Sequence, residues 1–361
     1  MSDSKSTNER EANSRKRSEK AGLSYPFDPI PAPGKTRELA PGVIWIRMPL
    51  PFELNHINLY GIADGDSWAV VDTGAQTPEA LQAWTDVMSG PFEGKPVSRV
   101  FATHMHPDHI GMAGWITRKH QCRLWMSRQE YLTCRTLVAD TGREAPADGI
   151  DFYRAAGWEE SSIEVYKTRF GGFGKYIHTL PDSIKRMRDG ETIRIGQHDW
   201  QVVVGRGHSP EHACLYNEAL KLLVSGDQVL PRISSNVSVF PTEPDADPLG
   251  EWIESIDKLR AAIPDDVLVL PSHNEPFRGL HARLDALKKG HETGLTRLRK
   301  RLAEPRRVVD VFGSLFAREI KGTGLLGMAT GEALAHLNYL VVRDEATVSI
   351  DEQGVAWYQG S

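Results

Sequence analysis

The chain reads as an α/β protein with a smaller unit of a different kind at its C-terminal end. Three observations carry this. Short β-like runs alternate with helical stretches through most of the length. Four of those runs lead directly into a histidine or aspartate beside a small residue. The final segment gives helices and then a hairpin.

The elements follow in order. Residues 1–22 are polar and mixed in charge, and they read as a disordered tail with a solvated basic cluster at Arg15-Lys16-Arg17. A Pro-rich lead-in spans 25–34. Strands are expected at 43–48, 57–62 and 68–72, the last entered through the turn Asp64-Gly65-Asp66. A helix follows from Pro78 to about Met88, with Thr77 before Pro78 as its start signal. A strand at 97–102 delivers the chain to Thr103-His104, and 111–119 reads as helix. Residues from about 126 to 185 are aromatic and helix-leaning, an insertion over the site. Strands return at 192–195, 200–204, 214–216, 222–225 and 267–271. Helices are expected at 249–262, 281–302, 308–316 and 330–342, then a hairpin of 348–350 and 355–358. The division is a tail (1–22), a catalytic domain (23–280) and a C-terminal helical, winged-helix-like domain (281–361).

Composition narrows the class. The 361 residues are 40% hydrophobic and 25% charged, ordinary for a globular protein. A net charge of -5 gives no electrostatic case for nucleic acid or an anionic membrane as main partner. Cys122, Cys134 and Cys214 form no C-x-x-C pair, so neither a disulfide framework nor a cysteine zinc knuckle is expected. That usage suits a reducing compartment, and a cytoplasmic location is expected. No apolar run approaching a membrane span and no signal-peptide core are read.

The chemistry is concentrated in Thr103-His104-Met105-His106-Pro107-Asp108-His109, four donors within six residues after a strand. Imidazole and carboxylate suit zinc and neighbouring first-row metals. Three of the 13 histidines fall here, which chance explains poorly. Gly207-His208, Gly226-Asp227 and Ser272-His273 repeat the strand-end placement. A lone His208 or His273 would be read as structural. With the first cluster present, each reads as a ligand. His212 is expected to support the site, and His56, His281, His291 and His336 to pack or face solvent.

H-x-H-x-D-H followed by strand-end His, Asp and His resembles the ligand set of the metallo-β-lactamase superfamily. The resemblance covers about Val43 to Gly279. It implies an αββα sandwich. It also implies that His104, His106 and His208 hold one metal, that Asp108, His109 and His273 hold a second, and that Asp227 bridges both. Asp72, in Val-Val-Asp-Thr-Gly, would orient a ligand rather than bind metal. The implied cofactor is a pair of zinc ions, with manganese or iron as alternatives. No organic cofactor site is read. Two such cations roughly 3.5–4 Å apart lower the pKa of a water between them, so a bridged hydroxide attacks the substrate, with Asp108 as the catalytic carboxylate. No G-x-S-x-G elbow is present.

The run Gly226 to Val237 and the C-terminal unit resemble a glyoxalase II-like (hydroxyacylglutathione hydrolase-like) group, without the Lys/Tyr pattern of its glutathione site. The expected reaction is hydrolysis of a small-molecule thioester or activated ester, of acylglutathione or acyl-CoA type. Arg232, Ser234 and Asn236 either line the substrate mouth or form a loop held by its own hydrogen bonds; the aromatics of the insertion could wall an acyl pocket, with core or lid packing the expected account of most of them. The alternatives are a lactonase and an RNA-cleaving metallonuclease served by the basic run from Arg297 to Arg307. Nucleic acid is the less favoured partner. No membrane partner is expected, and the oligomeric state is left open.

Overall fold

The computed structural model describes residues 13–361 except 53, 318 and 321. Much of the expected tail (1–12) lies outside the described residues. Residues 13–20 form helix α1, a departure from the disorder expected there. Ser18 Oγ meets Tyr25 Oη at 2.7 Å, and Arg15 lies over the Tyr25 ring, so this turn is docked.

Seven strands make the first sheet in sequential order: β1 (Thr36–Ala40), β2 (Val43–Pro49), β3 (His56–Ala63), β4 (Trp68–Val71), β5 (Val97–Phe101), β6 (Arg123–Met126) and β7 (Lys185–Arg186). β1 to β4 pair antiparallel, and β4 to β7 parallel. Of these, β1, β6 and β7 were not anticipated. The second sheet runs β12 (Leu268–Pro271), β11 (Leu222–Gly226), β10 (His212–Asn217), β9 (His198–Gly205), β8 (Thr192–Ile195).

Period-two patterning decides the layers. Val43, Trp45, Val202, Val204, Leu222, Val224, Leu268 and Leu270 fill the space between the sheets. Their neighbours in sequence point outward. Ile44, Ile46 and Met48 meet α2 (Pro78–Ser89) and α4 (Ala113–His120). Val203, Leu223 and Val269 meet α8 (Pro248–Ala262), α9 (Leu280–Arg301) and α11 (Thr323–Val342). The result is helix, sheet, sheet, helix. Thr77 and Asp247 cap α2 and α8 by accepting from Ala80 N at 3.1 Å and Gly250 N at 2.9 Å, each before a proline.

The insertion supplies α5 (Arg128–Ala139), α6 (Ala147–Ala155), α7 (Glu160–Arg169) and a 3₁₀ turn at Phe173–Tyr176. Most of its aromatics pack on one another rather than lining a pocket. Tyr153 stacks near Trp158 and Tyr166 with centroids 4.2 and 4.7 Å away, in the core beneath α11. Trp158 Nε1 donates to Thr330 Oγ1 at 2.9 Å.

The last segment packs on the second sheet through a shared core. It holds a 3₁₀ turn (Val308–Val311), α10 (Phe312–Leu315), α11 and the hairpin β13 (Ala346–Ile350)–β14 (Ala356–Gly360). A single helix over 308–316 was expected; the chain instead makes two short pieces. α11 is longer than expected. Its stretch Gly324–Val342 is apolar and long enough to span a bilayer, contrary to the sequence reading. Ala333, Leu334, Ala335, Leu337 and Leu340 are buried in the core shared with the second sheet, as befits a core helix.

Gly114 of α4 lies against the backbone of 178–179, and an added Cβ would sit 2.0 Å from Thr179 O. Gly114→Ala is expected to cost roughly 1–3 kcal/mol of stability by overpacking, read as a lowered thermal midpoint.

Candidate metal centre

Four strands end at one edge. β5 runs into α3 (Pro107–Ile110) through His104 and His106, and β9, β11 and β12 are followed by His208, Asp227 and His273. All seven residues singled out in the sequence meet there. Donor atoms of His104, His106, His208 and Asp227 lie within 4.8 Å of one another, as do those of Asp108, His109 and His273. Asp227 joins the groups. Its Oδ2 is 3.4 Å from His208 Nε2 and 3.5 Å from His109 Nε2, and its Oδ1 is 3.5 Å from His273 Nε2.

The outward nitrogens fix the rings. Asp72 Oδ2 accepts from His109 Nδ1 at 2.8 Å and from Thr103 Oγ1 at 2.8 Å, while Oδ1 accepts from Thr103 N at 2.7 Å. Thr103 Oγ1, already donating, accepts from His104 Nδ1 at 3.1 Å. His208 Nδ1 donates to Asn236 O at 2.7 Å, and His273 Nδ1 to His56 O at 3.1 Å. Each of these four rings therefore turns its Nε2 inward. Asp72 holds its place at a positive φ of 61°, a strained conformation for a residue with a Cβ. His212 Nε2 accepts from Asp227 N at 3.1 Å and so steadies the shared carboxylate.

Electrostatics match a cation site. His109 Nε2, His208 Nε2 and Asp227 Oδ1 are buried without a hydrogen-bond partner, an arrangement costly unless a cation satisfies it. Burial pushes His106 down to about 3, and it drives His104 well below the usual imidazole range with neighbouring rings adding to the effect. Burial also opposes charge on His109, yet Asp108, Asp227 and Asp72 hold it well above that range. Asp108 stays ionised, at about 2, because His109 and His273 outweigh its burial. Imidazoles beside ionised carboxylates are the donor set first-row divalent ions take, and a bound cation would replace the proton that those carboxylates hold on His109.

Two supports escaped the sequence reading. Glu130, buried on α5, spans two ligand loops: Oε2 accepts from Met105 N at 2.9 Å and Oε1 from Glu211 N at 2.7 Å. An acid in a helix's first turn looks unremarkable in sequence, so nothing marked it. The other is α11. Asn236, expected at the substrate mouth, instead braces His208 with its carbonyl and donates from Nδ2 to Glu332 at 3.1 Å.

The comparisons agree with this geometry. Residues 53–273, more than half of the chain, match the metallo-β-lactamase superfamily model, and residues 295–361 match the metallo-β-lactamase-like C-terminal domain. The chain belongs to the metallo-β-lactamase superfamily and is a metallo-hydrolase of that group. A crystal structure of a β-lactamase domain protein from Burkholderia ambifaria is 37% identical, with a TM-score of 0.86 over 94% of this chain and 98% of that one. A probable metallo-hydrolase from Bacillus subtilis is 25% identical across 88% of this chain and 97% of its own length. A human acyl-coenzyme A thioesterase is 25% identical across 67% of this chain and 81% of its own.

Two outcomes follow. Glu130→Ala leaves two buried N–H groups unpaired, and bound metal per chain should fall by elemental analysis. Glu130→Gln, which keeps one acceptor oxygen, should fall between the variant and the parent. Glu332 is pushed up to about 7 from its ordinary 4.5 by burial, the Asn236 amide pulling the other way. A raised value means tighter proton binding in the folded chain. Its stabilising contribution is full below about pH 4.5 and is lost as pH rises through about 7. Glu332→Gln should remove that decline, so its thermal midpoint should gain on the parent's between pH 5 and pH 8.

Proposed function

We propose that this chain hydrolyses a thioester or related activated ester with two divalent ions, zinc first. His104, His106 and His208 would hold one ion, Asp108, His109 and His273 the other, and Asp227 would bridge them. The observation that carries the hydrolytic reading is the meeting of both donor groups at the Asp227 carboxylate. Ions bound there supply Lewis acidity toward the substrate oxygen and make water acidic enough to react near neutral pH.

The chain's own groups divide the remaining work. Asp108 is the carboxylate that opens outward, with its side chain 18% exposed against 10% for Asp227. Its Oδ2 sits 3.4 Å from His273 Nε2. We assign it the proton of the attacking water. The water oxygen bonds to the carbonyl carbon, the C–S bond breaks, and the proton passes from Asp108 to the departing sulfur.

Two observations favour an acyl substrate. The human relative is an acyl-coenzyme A thioesterase. An exposed apolar lip also flanks α3: Phe52 stands edge-on to Tyr176 at 5.1 Å, with Leu54 beside it in sequence. The Tyr176 carbonyl accepts from Gln76 N at 2.8 Å, and the next residues run along Gly111. Apolar surface beside polar donors is the form of an acyl site. Of the insertion's aromatics, Tyr176 contributes to this lip. Lactone opening uses the same groups and is the near alternative.

The nuclease alternative loses ground. It rested on the winged-helix outline and on the basic run of α9 and beyond. Arg299 pairs with Glu345, Arg306 with Glu304 and Arg307 with Asp310, at 2.5, 2.5 and 2.9 Å. Those pairs neutralise Arg299, Arg306 and Arg307, half of the six cations in the run, which weakens the case for an extended phosphate-binding face.

The test is a panel of acyl-CoA, acylglutathione, lactone and single-stranded RNA with metal-loaded protein. Thioester turnover without RNA cleavage is expected. Chelation should abolish it, zinc should restore it, and His104→Ala should lower kcat/KM by at least about a hundredfold. RNA cleavage without thioester turnover would overturn the assignment.

A further inference from the structure

We propose that the cavity between α9, α11 and the loop after Asp227 binds an anionic oxyacid group of the substrate, a carboxylate or a phosphate. This rests on reading the metal centre as an ester-cleaving site.

The cavity is about 270 Å³, and its walls include Arg232, Arg283, Arg297, His291, His336 and Glu332. Its charge is what sets it apart. Arg283 is half-buried, and its guanidinium bonds only neutral carbonyls, Nε to Leu230 O at 2.5 Å and Nη2 to Ile233 O at 2.7 Å. No carboxylate partners it among the described residues, and burial pushes it down to about 10. A buried cation without a counterion is costly, and a bound anion would offset that cost. Arg297, exposed about four turns further along α9, likewise has no carboxylate partner among the described residues. Arg232 differs, since it is paired with Glu275 at 2.6 Å.

The other titratable walls add little opposing charge. Glu332 is engaged by the Asn236 amide and pushed up to about 7. Burial pushes His291 down to about 3 and His336 also downward, so both are neutral near pH 7. His336 Nδ1 donates to Glu332 O at 2.8 Å, and its Nε2 faces His291 Nδ1 at 3.4 Å. The excess in the cavity is positive, and guanidinium groups recognise carboxylate and phosphate in paired geometry.

Position ties the cavity to the chemistry. Arg232 and Ser234 on its wall follow Asp227 by five and seven residues. Glu332 reaches His208 through Asn236, two hydrogen bonds away. On this proposal the group seated there is carried by a molecule whose ester lies at the metal edge, on the other side of the His208 ring from Asn236. The group would be either a phosphate of the thiol carrier or a carboxylate on the acyl chain.

Three thioesters separate these sources: butyryl-CoA, succinyl-N-acetylcysteamine and the uncharged butyryl-N-acetylcysteamine. In Arg297→Ala, and more so in Arg297→Glu, kcat/KM for one anionic substrate relative to the uncharged one should drop at least about tenfold, through KM. A drop for butyryl-CoA names the carrier phosphate; a drop for the succinyl compound names the acyl carboxylate. Unchanged ratios for both overturn the proposal. If the parent protein turns over none of the three, the thioester assignment fails instead. Calorimetric binding of succinate and pyrophosphate to the metal-loaded protein then decides. Weakening of either by about tenfold in Arg297→Glu supports the site, because binding at the metal edge alone would not respond. Equal binding by parent and variant overturns it.

Discussion

Asp227 is the point at which the molecule's separate parts have to agree. Its two oxygens lie within 3.5 Å of imidazoles from three segments: His109 after β5, His208 after β9 and His273 after β12. These segments belong to different sheets. Only the face-to-face packing of the sheets, with Trp45 and Val71 on one side and Val202, Val224 and Leu270 on the other, brings their ends to one edge. The apolar layer sets the distance, and the carboxylate reads it out. A buried cluster of this charge tolerates little error, since each misplaced donor becomes an unpaired polar group in a dry environment.

Much of this was legible in the sequence, for identifiable reasons. The seven ligand candidates stand out because histidine and aspartate after β-like runs violate the pattern of a core and cluster where a core alone would not place them. The strands of the inner layer were readable because both their faces are buried and they are rich in Val, Ile and Leu. β1, β6 and β7 were not. Thr36–Ala40 is half exposed along its length, Arg123–Met126 is only four residues long, and Lys185–Arg186 only two. β1 and β7 lie at the two edges of the sheet, with β6 just inside β7, and short or exposed strands of that kind take their identity from the neighbour they pair with.

Contacts distant in sequence were the other blind spot. Glu130 is separated from Glu211 by 81 residues, and Asn236 from Glu332 by 96. No periodicity records such a bond. The aromatics of the insertion could be read as pocket wall or as core, because the two share composition, with core or lid packing the expected account of most of them. Tyr153, Trp158 and Tyr166 proved to be core, and Thr330 receives the indole N–H. The exposed apolar residues that do flank the site, Phe52 and Tyr176, come from the loop before β3 and the 3₁₀ turn of the insertion, far apart in sequence and with no pattern in common.

The brace on His208 has one more consequence. Its ring is held by the Asn236 carbonyl, whose side chain is held by Glu332, and the same loop joins α11 again where Val239 N donates to Gly331 O at 3.0 Å. Cation occupancy at one end of this chain of bonds and docking of the last long helix at the other are thermodynamically linked. Loading the centre secures the helix against local opening, and prying the helix loose lowers the affinity for the cation by the same factor.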